Sequence, residues 1–141
     1  MRLFLDTNVL LDVLGRREPF FQAAARVWSL AERGELEAYV SAISFNNVYY
    51  IVRKAGGKEK ADEALRILRD VFAIVAPDAK IINQAMDSEM TDFEDALQFY
   101  SAVRAKATHL LTRDADAFPT SHLQVLSPDE FIAALQERLN G

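Results

Sequence analysis

"RLFLDTNVLLD", residues 2–12, begins as a short apolar run, meets Asp6, Thr7 and Asn8, and then turns apolar again up to Asp12. A brief hydrophobic run cut off by polar residues predicts a buried strand that hands over to a helix. The rest of the chain repeats that alternation. "EPFFQAAARVWSLAERG" (18–34) places Phe20, Ala24, Val27, Trp28 and Ala31 on one helical stripe that stops near Gly34, and "LEAYV" (36–40) predicts a second strand. Ser41 caps a helix through "AISFNNVYYIVRKAGG" (42–57), and "EKADEALRILRDVF" (59–72) keeps Ala61, Leu65, Leu68 and Phe72 in helical register. "AIVA" (73–76) predicts a third strand, after which Pro77 and Asp78 open another helix. "TDFEDALQFYSAVRAKA" (91–107) opens the next, with Thr91 and Glu94 in capping-box spacing. "HLLT" (109–112) and "LQVL" (123–126) are the fourth and fifth strands, and Ser127, Pro128 and Glu130 start a last helix. Strands separated by helices need crossover connections, so the expectation is a three-layer α/β/α sandwich around a central, mostly parallel five-stranded sheet.

Composition limits the classes of function. The 141 residues, 50% of them hydrophobic, suffice for one core, so the chain reads as a single domain over residues 1–141. A net charge of -5 provides no overall basic field, and nucleic acid would have to meet a local basic patch or metal ions that neutralise acidic groups. The absence of cysteine excludes disulfides and thiolate metal sites. No apolar stretch is long enough to span a bilayer, and Asp6 and Asp12 interrupt any leader-like run at the start, so the expected location is cytoplasmic.

In parallel sheets ligands sit beyond the carboxyl ends of the strands. Those positions are acidic here: Asp6 after the first strand, Asp114 after the fourth, and Asp92 with Asp95 at the start of the preceding helix. Carboxylates held together repel one another, and a hard divalent ion is what offsets that repulsion; Mg2+ or Mn2+ in such a setting serves phosphoryl chemistry. Each residue also has a plainer role. Asp6 caps a helix, Asp92, Glu94 and Asp95 complement a helix dipole, and Asp114 and Asp116 shape a turn. Asp12, Asp62, Asp70 and the two histidines read as ordinary surface or local polar contacts. A receiver-like phosphoacceptor is set aside, because Asp6 stands alone after the first strand and "VLSPD" (125–129) lacks the lysine that chemistry needs.

Four motifs in order, "LDTNVLLD" (5–12), "SAISFNNVYYIVRK" (41–54), "DFEDALQFYSA" (92–102) and "LLTRDADAF" (110–118), resemble the PIN domain, the nuclease module that includes VapC-type toxins. The resemblance covers almost the whole chain and implies a parallel five-stranded sheet and metal-dependent cleavage of RNA. By this resemblance Asp6 is the first metal-binding aspartate, Asp95 the third acidic position and Asp114 the fourth. Asp92 matches an extra aspartate of the subgroup that this chain most resembles, Thr112 a hydroxyl residue beside the site, and Asn8 an asparagine that orients Asp6. The metal set is thus Asp6, Asp92, Asp95 and Asp114, with Asn47 and Thr112 orienting water or phosphate. Asn8, Arg53, Lys54 and Arg113 are the substrate-binding candidates, with Arg16, Arg17, Lys58 and Lys60 as further cations. Tyr49 and Tyr50 fit helix packing better than base stacking.

The chain departs from the pattern at the second acidic position, where most members place glutamate and this sequence has Asn47; an amide oxygen brings no negative charge, and Asp92 is the group placed to compensate. Ala117 also replaces an aspartate common among relatives. The implied function is a Mg2+- or Mn2+-dependent endoribonuclease, the toxin of a toxin-antitoxin pair. RNA is its substrate, its partners are a cognate antitoxin and a second copy in a homodimer, and no membrane is involved. The alternative is a degenerate PIN domain that binds RNA or a protein without cutting.

Overall fold

The computed structural model describes residues 1–141. Strand β1 (Arg2–Leu5) leads into α1 (Thr7–Leu14) and α2 (Phe21–Glu32); β2 (Glu37–Ser41) is followed by α3 (Ala42–Gly56) and α4 (Lys58–Val71). β3 (Ala73–Val75), α5 (Ala79–Asp87), α6 (Phe93–Arg104), β4 (His109–Leu111), β5 (Gln124–Leu126) and α7 (Pro128–Asn140) complete the chain. The five strands form one sheet in the order β3-β2-β1-β4-β5, every pairing parallel. The expected α/β/α sandwich is therefore what the chain forms, with a wholly parallel sheet.

Alternating residues of the strands feed two cores. Leu3, Leu5, Ala38, Val40 and Leu111 pack with α1, α2, α3, α4 and α7, whereas Phe4, Val75 and Leu110 pack with α5 and α6. Burial on both faces explains why "RLFL" and "HLL" read as continuous apolar runs instead of alternating ones. Trp28, from the predicted stripe, meets the ring of Phe72 edge-on at 4.9 Å between centroids. No helix is long and apolar enough to cross a membrane.

The helix starts follow local chemistry. Ser41, Asp78 and Ser127 accept hydrogen bonds from the first-turn amides of α3, α5 and α7, and Ser127 with Glu130 forms the expected capping box. At α6 the expectation fails by one residue. The cap is Asp92, whose Oδ1 accepts from the Asp95 amide at 2.9 Å, and Thr91 plays no such part. An aspartate outcompetes the threonine because its carboxylate also complements the helix N-terminus.

The strand order fixes where a site can form. The chain moves outward from β1 through β2 to β3, then crosses back to β4 on the other side of β1. The switch point thus lies at the carboxyl ends of β1 and β4, where Asp6 and Thr112 emerge side by side.

Candidate metal centre

Asp6 is buried at the junction of β1 and α1, at the edge of an open cleft, with both of its oxygens engaged by the protein. Its Oδ1 caps α1 by accepting from the Thr7 amide at 2.7 Å, while Oδ2 accepts from the Thr112 hydroxyl at 2.8 Å. Thr112 in turn accepts from the Asp114 amide at 3.1 Å, so one hydroxyl sets both Asp6 and the turn that carries Asp114. Asn8 reaches Asp6 only at 3.5 Å and Thr112 at 3.4 Å, at the long edge of hydrogen-bond geometry, so Thr112 orients Asp6 more firmly than Asn8 does.

Above this corner opens a cleft of about 490 Å3 between the carboxyl end of the sheet, α3 and the start of α6. Asp6, Asn8, Asn47, Asp92, Asp95 and Asp114 all line it, as does Glu94. No arginine or lysine does. None of the chain's ion pairs involves these carboxylates. Their electrostatics record the crowding. Burial raises the Asp6 carboxyl above its ordinary value against the hydrogen bonds of Thr112 and Thr7, and the charges of Glu94 and Asp114 push the same way. Asp95 is pushed up to about 6, by burial first and then by Asp92, Asp6 and Asp114. Glu94 is raised by burial and by Asp92 and Asp95, with the Asn47 amide pulling it back. The carboxylates share the cleft without three of them converging into a ready-made cage.

The cleft rests on a buried polar knot. Gln98, fully buried one turn beyond Asp95 on α6, donates through Nε2 to Thr7 Oγ1 and Ser44 Oγ, both at 3.2 Å, and those two hydroxyls lie 2.8 Å apart. Thr7 follows Asp6, and Ser44 sits one turn before Asn47. The knot therefore ties together α1, α3 and α6, three of the four segments that line the cleft.

Not every candidate falls in the cleft. Arg53 and Lys54 are exposed near the end of α3, and Arg53 lies against Tyr49 with its Nη1 at 3.4 Å from the hydroxyl. Arg113 is drawn away to Asp12, Nε to Oδ2 at 2.8 Å, and its guanidinium lies over Phe20 at 4.2 Å. Asp12 is fully buried and paired across the chain, so its contact is neither the surface nor the local polar one that its sequence suggested. Tyr50 also departs from its expected place in helix packing: it is 65% exposed and lines the cleft. Glu94 and Gln98 belong to the site although the sequence pattern alone does not single them out. Three acids within Asp92–Asp95, and one amide in the otherwise apolar "ALQF" segment, were the available signals.

The chain from residue 2 to 116 matches the family model described as PIN domain. Two solved structures resemble it across most of both chains. One is VapBC2 from Rickettsia felis bound to a DNA fragment from their promoter (TM-score 0.67, 19% identity, 89% of this chain and 97% of that one). The other is VapC20 from Mycobacterium tuberculosis, described as a sarcin-ricin loop cleaving toxin (TM-score 0.65, 18% identity, 82% and 92%). At such identities the likeness is one of fold. No curated protein matches the sequence. The match over residues 2–116, on a five-stranded parallel sheet whose switch point opens on an acidic cleft, shows that this chain belongs to the PIN domain family.

Proposed function

We propose that the protein is a Mg2+- or Mn2+-dependent endoribonuclease and the toxin of a toxin-antitoxin pair. The observation that carries the reading is the cleft itself, where carboxylates from three segments face one another with no protein cation among them.

The donor set fits a hard divalent ion, since every side-chain donor is oxygen and Asp6, Glu94 and Asp95 are held above their ordinary values, by burial first and then by neighbouring carboxylates. The open arrangement fits Mg2+ as well, because that ion keeps several waters and takes only one or two carboxylates. Asp6, Asp95 and Asp114 would hold it, with Asp92 beside them. When bound, such an ion supplies Lewis-acid polarisation of a phosphate oxygen and a more acidic water. The protein's own part is positional. Gln98 fixes the spacing of α1, α3 and α6, and Asn47 is the cleft amide placed to orient water or phosphate; Thr112, expected to share that task, is fully buried outside the cleft lining and acts by fixing the rotamer of Asp6. Exposed Tyr50 lines the cleft, and Arg53 and Lys54 follow it on α3 as exposed cations, the groups proposed to meet an RNA strand.

The likeness to VapBC2 from R. felis, bound to a DNA fragment from their promoter, supports an antitoxin as the partner of this chain. Helix α7, beyond the matched residues, packs Phe131 and Ile132 into the same core as α2, in keeping with one functional unit over residues 1–141. A second reading, a PIN domain that binds RNA without cutting, draws on Asn47, the uncharged residue in the second acidic position. Purified protein incubated with RNA decides between them. The nuclease reading expects cleavage with Mg2+ or Mn2+ that stops on chelation and in Asp95→Asn; binding without cleavage in either metal favours the second.

A further inference from the structure

Asn47 does not stand alone at its position. Its Nδ2 donates to Glu94 Oε1 at 2.7 Å, a bond that spans the cleft from α3 to the first turn of α6. A glutamate two residues beyond an N-cap has an easy alternative, which is to stay over its own helix end and complement the dipole. In the capping box that the sequence suggests, Glu94 would have turned back towards Thr91. Instead Asp92 takes the cap, and the longer Glu94 side chain is free to cross to α3. Asp92 itself is committed through Oδ1 to the Asp95 amide. Glu94 lines the same cleft as Asp6, Asp95 and Asp114.

We infer that Glu94 supplies the carboxylate that position 47 lacks, with Asn47 as the positioning residue that holds it in the cleft. The acidic group has moved from α3 to the facing helix, and the amide left behind keeps it in place. Asn47 suits that task because a carboxylate only accepts hydrogen bonds and an amide offers two N–H donors. The bond engages Oε1 and leaves Oε2 to face a cation. This inference rests on the reading of the cleft as a divalent-ion site, and it assigns Glu94 a place in the donor set that Asp92 would otherwise fill alone.

The test is calorimetric titration of the full chain with Mn2+ at neutral pH. Glu94→Gln keeps the shape and the Asn47 contact but removes the charge, and should weaken binding about tenfold, as expected for a lost charge-assisted contact. Asn47→Ala retains the charge without its positioning bond and should cost a smaller factor, about threefold. The decisive variant is the exchange N47E/E94Q, which returns the charge to α3 and should recover affinity to within about twofold of wild type. Glu94 is exposed and Asn47 only partly covered, so melting curves should report intact folds for all three. Glu94→Gln binding as tightly as wild type, or an exchange variant no better than Glu94→Gln, would overturn the inference. If Asp6→Asn abolishes binding in that same series, the cleft reading stands and Glu94 alone is rejected. Wild-type protein that takes up no Mn2+ would overturn both.

Discussion

Asp6 and Asp12 are two buried carboxylates on one short helix, both raised above their ordinary values by burial, and the fold resolves them in opposite ways. Asp12, in the second turn of α1, receives the guanidinium of Arg113, with Arg17 adding positive potential. Asp6, at the N-cap, receives neutral donors from Thr7 and Thr112 and then faces Glu94 and Asp114. A buried charge that the chain neutralises itself belongs to the scaffold. One that it surrounds with further acids receives no counter-charge from the chain, which is the place the proposed divalent ion would take.

The largest expected effect separates the two directly. Asp6→Asn should lower metal-dependent RNA cleavage by more than about 100-fold, beyond the range of roughly 10–100-fold typical of groups that merely support a ligand. Asparagine is also a good N-cap and carries no buried charge, so the metal-free melting temperature should not fall. Cleavage that survives would remove Asp6 from the chemistry. Asp12→Asn should do the reverse. It leaves Arg113 without its partner at a cost of about 1–3 kcal/mol in urea unfolding, softened by the guanidinium's remaining contact with Phe20 and with solvent, and Mn2+ affinity should stay at the wild-type level.

Gln98 sharpens the comparison, since it touches no carboxylate yet ties together α1, α3 and α6 beneath the cleft. Gln98→Leu should cost about 1 kcal/mol, because the Thr7 and Ser44 hydroxyls keep each other and Gln98 Oε1 has no partner to lose. A further loss of Mn2+ affinity, about threefold to tenfold, would mark it as a positioning residue; stability loss alone would make it an ordinary packing group.

The smallest effect concerns pH. With its carboxyl pushed up to about 6, Asp95 binds a proton in the folded state over a range where the unfolded chain does not. Its contribution to metal-free stability therefore falls as pH rises from near 4 through about 6. His109, held below its ordinary value by burial, acts in the opposite sense as pH falls, so the Asp95 share is read against Asp95→Asn. Relative to that variant, wild type should lose less than about 3 °C of melting temperature between pH 5 and pH 7, because Asp95 is partly solvated. Equal pH profiles would mean that Asp95 feels no such crowding.

What the sequence made legible follows from the range of the forces involved. Strands β1 and β4, the caps at Ser41 and Ser127, and the convergence of Asp6, Asp92, Asp95 and Asp114 on one cleft depend on local pattern and on the geometry of parallel sheets. Asp12 was illegible because its burial depends on Arg113, brought close only when β4 pairs with β1. Glu94 looked like a helix-end charge because its partner lies on α3. Tyr50 read as packing because an exposed aromatic and a buried one share the same helical spacing; only the path of α3 along the cleft separates them.

The central claim, that the cleft takes its counter-charge from a divalent ion, is tested most directly by melting wild type, Asp6→Asn and Asp12→Asn with and without Mn2+. Saturating Mn2+ should stabilise wild type by about 2.7 kcal/mol at a hundred times its Kd. Asp12→Asn should melt lower yet keep the same increment, and Asp6→Asn should melt no lower than wild type yet show none. A Mn2+ increment that persists in Asp6→Asn, or one that vanishes in Asp12→Asn, would contradict it.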